Sequence, residues 1–271
     1  MIRTRMTGGL GNQLFQWACA KNLQKKYGHP IQFEDHILAS SRNRDIMNFP
    51  NITWNTEEYI KNEYTSGENI PYSIYQDKFS FSDFSRIDFT KNEFFHLIGY
   101  WQGVDYFKES QEEIRESLRP NQQFIDNNKS MFLQSSRCVS LHFRRTDYIG
   151  KDDHHPIPPM TYYEKALEMV DYDRIFVFSD DIPWCKENLK FNNMTFVHNI
   201  NPLHDLWIMS FCQSNIIANS TFSWWGAWLN DNPNKKVIMP RKWFGPSAPS
   251  DKDITNVDWI KLTHDGEIAN D

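Results

Sequence analysis

The chain has 271 residues, 39% of them hydrophobic, and a formal net charge of −6 at pH 7. That length fills one large domain or two ordinary ones, and the acidic balance excludes a general nucleic-acid or anionic-membrane surface, so basic clusters serve as local tools. No run approaches the ~18 apolar residues of a membrane span, no apolar leader precedes Ile2, and Cys19, Cys138, Cys185 and Cys212 are scattered in apolar segments. The expectation is a soluble protein of a reducing compartment with buried thiols.

Ile2 to Met6 reads as a strand, Thr7-Gly8-Gly9-Leu10-Gly11-Asn12 as a glycine turn, and Gln13 to Tyr27 as a helix. Leu14, Phe15, Trp17, Ala18 and Leu23 supply the helix's apolar face, Gly28 caps it and Pro30 stops it. With Ile31 to Phe33 as the next strand, this is a βαβ opening whose helix N-terminus suits an anion or a polar ligand. From Asp35 to about Glu93 no periodicity assigns an element. Phe94 to Trp101 reads as a strand and Val104 to Leu118 as a helix that Pro120 breaks. Asn121 to Lys129 is polar and unpatterned, and places the domain boundary there, with domains 1–125 and 126–271.

The second half alternates more cleanly. Strands are expected at Cys138 to Phe143, Arg174 to Ser179, Thr195 to Val197, Asn215 to Ala218 and Lys236 to Met239. Helices are expected near Met160 to Val170, Ile182 to Leu189, Pro202 to Phe211 and Ser223 to Leu229, which together make a doubly wound α/β domain. In such sheets ligands bind beyond the carboxyl ends of the strands. Three polar motifs fall there: His142-Phe-Arg144-Arg145-Thr-Asp147, Ser179-Asp180-Asp181 and Asn219-Ser220-Thr221-Phe222-Ser223.

Two guanidiniums at a strand end are costly to bury without an anion, and arginine's planar fork matches a phosphate. Alternation puts His142 and Arg144 on one face, with Phe143 and Arg145 on the other. Arg144 is therefore expected to hold phosphate directly and Arg145 to brace Asp147. Asp180 and Asp181 precede Ile182-Pro183, where one carboxylate caps the helix and the other is left for a ligand; a carboxylate accepts two N–H bonds from guanine and finds no such pair on adenine. Ser220, Thr221 and Ser223 serve equally as caps and as phosphate donors. Trp224 and Trp228 share a helix face and read as core, with Trp225 off that face. Asp171-Tyr-Asp173 has the form of a metal-holding pair but precedes its strand, at the wrong end of the sheet, so a metal-independent reaction is expected. Asp152-Asp153-His154-His155 reads as a solvated loop from which a carboxylate reaches the cleft as a base.

Gly8-Gly-Leu-Gly-Asn-Gln-Leu-Phe-Gln16, His142-Phe-Arg-Arg-Thr-Asp-Tyr148, Phe178-Ser-Asp-Asp181 and Asn219-Ser-Thr-Phe-Ser-Trp-Trp-Gly-Ala-Trp228, in this order, resemble the α-1,2-fucosyltransferase family, glycosyltransferase family eleven. The resemblance implies an α/β, GT-B-like fold of two Rossmann-like domains facing a cleft, the N-terminal one on the acceptor side and the C-terminal one binding GDP-fucose. It implies inverting, metal-free transfer of L-fucose from GDP-β-L-fucose to the 2-hydroxyl of a terminal galactoside, with no cofactor beyond the donor. By similarity, Arg144 would hold the diphosphate, His142, Asp180 and Asp181 the guanosine, Thr221 and Ser223 further phosphate oxygens, and Asn12 would lie near phosphate and acceptor. Related enzymes with the His-x-Arg-Arg-x-Asp motif carry a carboxylate ten residues after the His, which lands on Asp152 as the base; Asp153 and His155 stay open for that role, and Tyr148 stands where those enzymes have Lys. The chain looks more like the bacterial enzymes than like the membrane-anchored animal relatives, which implies action in the cytoplasm, at most peripherally on the membrane, on O-antigen and other surface glycans, lipid-linked ones among them.

Two other classes stay in view. Gly9-x-Gly11-x-x-Leu14 with Glu34 approximates a dinucleotide fingerprint and so an NAD-dependent oxidoreductase, although Leu14 replaces the third glycine. A nucleotide-sugar or glycan-binding protein without turnover would keep the Arg and Asp contacts and need no base.

Overall fold

The computed structural model describes residues 1–35, 42–54, 59–61, 73–75, 81–90, 94–133, 137–198, 201–248 and 250–269. Much of the stretch from Asp35 to Glu93 that carries no sequence pattern lies outside them. The glycine turn opens as its sequence requires: β1 (Ile2–Met6), α1 (Leu10–Tyr27) and β2 (Ile31–Asp35) form a parallel βαβ unit. Gly28 ends α1 at φ 72°, its N–H donating to the Gln24 carbonyl at 2.9 Å, the left-handed cap that glycine allows. Yet α1 is no simple amphipathic helix, because Gln13, Gln16 and Asn22 are buried with the apolar residues.

The first unit, Met1–Arg119 with Lys252–Asn256, continues through β3 (Tyr59–Lys61), β4 (Ser73–Tyr75), the short α2 (Phe81–Phe84) and β5 (Phe95–Ile98). Its parallel sheet runs β3-β2-β1-β5-β4. The helix expected from Val104 is a 3₁₀ segment, Val104–Ser110, followed by α3 (Gln111–Leu118). The 3₁₀ segment is itself bent at Phe107, φ −136°, whose ring is buried beside Phe15.

The second unit is Pro120–Asp251 with Val257–Asp271, so the division expected after residue 125 lies at Pro120. The polar stretch after it is not unstructured but forms α4 (Gln122–Leu133): Asn121 accepts the Phe124 N–H at 2.9 Å, as an N-cap does, and Phe124 packs on His204 and Trp207. Then follow β6 (Cys138–Phe143), α5 (Met160–Glu168), β7 (Arg174–Ser179), α6 (Ile182–Asn188), β8 (Met194–Val197), α7 (Pro202–Phe211), β9 (Ser214–Ile216), α8 (Thr221–Leu229) and β10 (Val237–Pro240). After α9 (Lys252–Thr255), which belongs to the first unit, β11 (Ile260–Leu262) completes a parallel sheet of order β11-β10-β9-β6-β7-β8.

One face of β6, Val139, Leu141 and Phe143, packs into a core with Tyr163, Leu167, Val177 and Cys185. The other face is polar and satisfied: Asn215 Nδ2 donates to Ser140 Oγ at 2.7 Å and accepts through Oδ1 from Asn230 at 2.8 Å. Trp224 and Trp228 are core residues with stacked rings, and Trp225 is fully buried too. All four cysteines are buried and unbridged. Among the described residues no helix is long and apolar enough to cross a membrane.

In each sheet the strand order reverses beside the strand that opens it, between β1 and β5 in the first unit and between β6 and β9 in the second. Ligands of doubly wound folds bind at such switch points, beyond the carboxyl ends of the strands.

Candidate active site

At the switch point of the second unit the imidazole of His142, 5% exposed at the end of β6, lies 2.8 Å through Nδ1 from the Ser223 hydroxyl in the first turn of α8. Ser223 Oγ also lies 3.2 Å from the Ser220 carbonyl. A hydroxyl has one proton, and when it goes to that carbonyl the Nδ1 of His142 is the donor and Nε2 keeps its lone pair. Burial pushes the His142 pKa down to about 3, with Arg144 adding to the fall and Asp180 opposing it, so the ring is neutral.

Arg144 follows on the same face. Its Nη2 donates to Asp147 Oδ2 at 2.8 Å, and its Nε is 3.4 Å from Asp180 Oδ2. The bracing of Asp147 expected of Arg145 thus falls to Arg144. The reason is the tight turn after the strand, in which the Tyr148 and Ile149 N–H groups close on the Arg145 carbonyl and bring Asp147 back beneath Arg144. The Nη1 edge of Arg144 takes no acceptor among the described residues, which leaves part of the fork for an anion. Tyr148 places its ring 5.6 Å from the guanidinium and donates its hydroxyl to the Asn219 carbonyl at 3.1 Å.

Arg145 points to the opposite face, as strand alternation requires. Its guanidinium sits 3.6 Å over the Trp184 ring, with Nε 3.4 Å from Asp181 Oδ2. There it lines a cavity of about 180 Å³ together with Pro158, Met160, Tyr163 and Trp184.

Neither aspartate of the pair is left over by the fold. Asp181 caps α6, accepting the Trp184 N–H at 3.2 Å. Asp180 accepts the N–H groups of Arg145 at 2.9 Å and Thr146 at 3.1 Å, and the Thr146 hydroxyl as well. It therefore fixes the turn that aims Arg144, a task that the carboxylate spacing alone did not reveal. Ser223, fully buried, spends its hydroxyl on His142 and Ser220 and so bears on a ligand only through the imidazole, whereas Thr221 heads α8 half-buried.

The loop after the motif carries Asp152 and Asp153, both exposed, and His154 and His155. His155 stacks on Tyr148 with centroids 4.4 Å apart and planes 8° apart. Burial, reinforced by His154, lowers its pKa to about 4. The segment from Trp243 to Ser247 pins the loop from below: the Gly245 N–H donates to His154 O at 3.0 Å and the Ser247 N–H to Asp153 O at 2.9 Å. Asn219 Nδ2 completes the support by donating to Pro156 O and Trp243 O. Sequence reasoning placed Tyr148 and Asn219 in its motifs without a role and passed over Trp184 and Gly245; these residues make contacts that no local pattern encodes.

Asp171 and Asp173 lie before β7, at the amino end of the sheet, and Asp173 is held by Arg137. Among the described residues no three His, Cys, Asp or Glu side chains converge as metal ligands do. In the first unit Asn12, in the opening turn of α1, accepts from Gln102 Nε2 at 2.9 Å.

Two parallel nucleotide-binding-type sheets, one ending in an arginine fork beside a neutral buried histidine, define a GT-B-type glycosyltransferase. The family model for glycosyl transferase family 11 matches residues 1–263, and the chain belongs to that family. It is similar to the O-antigen biosynthesis glycosyltransferase WbnK of Escherichia coli, 30% identical over 95% of this chain and 99% of the relative. It is also similar to an alpha-1,2-colitosyltransferase of Escherichia coli, 27% identical over 97% and 99% of the two chains, and to galactoside alpha-(1,2)-fucosyltransferase 2 of Bos taurus, 24% identical over 89% and 77%. In fold it matches the ADP-heptose heptosyltransferase II of Escherichia coli, with a TM-score of 0.50 at 12% identity over 97% of this chain and 89% of that one.

Proposed function

We propose that the protein transfers L-fucose from GDP-β-L-fucose to the 2-hydroxyl of a terminal galactoside, with inversion, in the assembly of a bacterial surface glycan. The observation that carries this reading is the Arg144 guanidinium, held by Asp147 and Asp180 with no acceptor on its Nη1 edge among the described residues, beside neutral His142. In this reading the fork takes the diphosphate and stabilises the charge that develops as GDP leaves. The imidazole offers Nε2 as an acceptor to the nucleoside, and Thr221 adds a hydroxyl at the N-terminus of α8. Asp152 receives the proton of the attacking hydroxyl as the bond from that oxygen to the anomeric carbon forms and the bond to the diphosphate breaks. No resident cofactor takes part.

A second donor has its own support in the relative named as a colitosyltransferase, which matches almost the whole chain. The test is GDP release from GDP-fucose and from GDP-colitose, with and without a β-galactoside, and linkage analysis of the product. Acceptor-dependent release from GDP-fucose with an α-1,2 product is expected. Release from GDP-colitose alone would move the donor assignment, and release without any acceptor dependence would remove the transferase assignment.

A further inference from the structure

The switch point of the first unit is furnished differently from that of the second. Two turns meet there, Thr7 to Asn12 beyond β1 and Gly99 to Gly103 beyond β5, and neither contains a charged residue. Gln16 ties them together, accepting the Thr7 N–H at 3.0 Å and donating to the Gly99 carbonyl at 2.9 Å. Gln13, one turn earlier in α1, holds the Gly8 carbonyl at 2.9 Å. These buried glutamines fix the backbone of both turns.

Trp101 anchors the second turn. Its indole is fully buried, with ring centroids 5.1 Å from Phe84 and 5.8 Å from Tyr106, and its backbone has φ 54°, a conformation rare for a bulky residue. The residues on either side are thereby held at the sheet edge. Tyr100 is 41% exposed and lies against Gly8, where a Cβ would stand 3.3 Å from Tyr100 Cε1 and 2.7 Å from Asn12 Nδ2. On the other side Gln102 donates to Asn12 Oδ1, which fixes the Asn12 amide with Nδ2 toward Gly8. Although the N-terminus of α1 suits an anion, the patch made by the accessible Tyr100 ring and the two paired amides has no charged side chain in either turn to complement a phosphate. It suits a neutral pyranose, whose C–H face stacks on an aromatic ring while its hydroxyls pair with groups that both donate and accept.

We propose that Tyr100 and Gln102, with Asn12, form the subsite for the neutral sugar of the acceptor glycan: the pyranose stacks on Tyr100, and Gln102 positions the Asn12 amide toward its hydroxyls. This rests on the transferase reading above. The test measures acceptor KM, GDP affinity by calorimetry and direct galactoside binding by saturation-transfer NMR on the full chain, for wild type, Tyr100→Ala, Tyr100→Phe and Gln102→Ala. Tyr100→Ala is expected to raise acceptor KM about tenfold and abolish the saturation-transfer signal, with Tyr100→Phe near wild type and GDP affinity unchanged in both. Gln102→Ala is expected to raise acceptor KM as well. An unchanged acceptor KM or a retained NMR signal in Tyr100→Ala overturns the subsite, as does the lack of any wild-type signal. A wild type that binds galactoside through Tyr100 yet releases no GDP leaves the subsite standing and removes the transferase reading instead.

Discussion

The imidazole of His142 and the hydroxyl of Ser223 lie 2.8 Å apart, and this one bond joins the end of β6 to the first turn of α8 across the switch point of the second sheet. Because burial holds His142 near a pKa of about 3 while the unfolded chain titrates near 6.5, the unfolded chain takes up a proton that the folded one refuses as pH falls between those values. Stability is full above pH 6.5 and is lost on acidification, by up to about 1.4 kcal/mol per pH unit for each such histidine. His155, lowered to about 4, acts in the same direction. Urea unfolding of His142→Asn at pH 6.5 and pH 5 should therefore give a slope shallower than wild type by roughly half. An identical slope would assign the acid sensitivity to other groups.

Arg144 and Arg145 should fail differently. Arg144→Lys removes the planar fork and should lower kcat by roughly 10²–10³, since the lost interaction is one that strengthens as charge develops on the leaving group. Arg145→Lys loses the Trp184 stack and weakens the Asp181 pair, so its cost should appear in thermal stability more than in kcat. Steady-state kinetics beside thermal melts decides; near-normal kcat in Arg144→Lys would falsify the diphosphate role.

The base cannot be identified by its pH profile alone. An ordinary histidine would place the acidic limb near 6.5, but His155 at about 4 overlaps the carboxylate range. Substitution separates them. Asp152→Asn should lower acceptor-dependent turnover by roughly 10²–10⁴ with GDP affinity intact, whereas His155→Gln, which breaks the stack on Tyr148, should weaken GDP binding. Full turnover in Asp152→Asn moves the base to Asp153 or His155.

Gly245 should tolerate no side chain. A Cβ there would stand 2.2 Å from Asp153 O and 2.6 Å from Asp152 O, both backbone atoms with no flexible group to yield. Gly245→Ala should displace the loop and lower stability by roughly 1–3 kcal/mol. It should also reduce kcat more than GDP affinity, because the loop carries the proposed base while Arg144 lies outside it. Wild-type kcat in this variant would show that the loop's position does not matter to the reaction.

Chelation should leave activity unchanged, because Asp171-x-Asp173 lies at the amino end of β7 with Asp173 committed to Arg137, the carboxylates of Asp251-x-Asp253 accept from Trp243, Phe81 and Tyr106, and Arg144 supplies positive charge at the proposed diphosphate site. Turnover in EDTA, then with added manganese or magnesium, checks this; a metal-restored activity would overturn it.

The features readable from sequence are those set by local periodicity. Alternation carried one step past β6 put Arg145 over Trp184 and Arg144 beside Asp147 and Asp180, although both arginines line the cavity next to Trp184. The choice of Arg144 as the partner of Asp147 was not readable, since the turn that folds Asp147 back is closed by hydrogen bonds to the Arg145 carbonyl and by Asp180 from another strand end. The α4 helix was missed because its capping and packing on His204 and Trp207 outweigh a polar composition. Tyr100 was hidden in a segment read as one strand from Phe94 to Trp101, and Gln102 in the gap before the expected helix; their placement depends on Trp101 being buried from a left-handed backbone, which no pattern of polarity reports.

Asp253 carries a consequence for biosynthesis. Its carboxylate accepts the Phe81 N–H at 2.9 Å and the Tyr106 hydroxyl at 2.7 Å, and its backbone carbonyl comes so near Gly103 that a Cβ there would stand 2.8 Å away. The turn that holds Tyr100 and Gln102 thus depends at its far end on a residue translated after five of the six strands of the second sheet. During synthesis the N-terminal unit waits for the whole C-terminal sheet but β11 to emerge before its own aromatic cluster acquires that carboxylate, so the two units mature together rather than in the order in which they are translated.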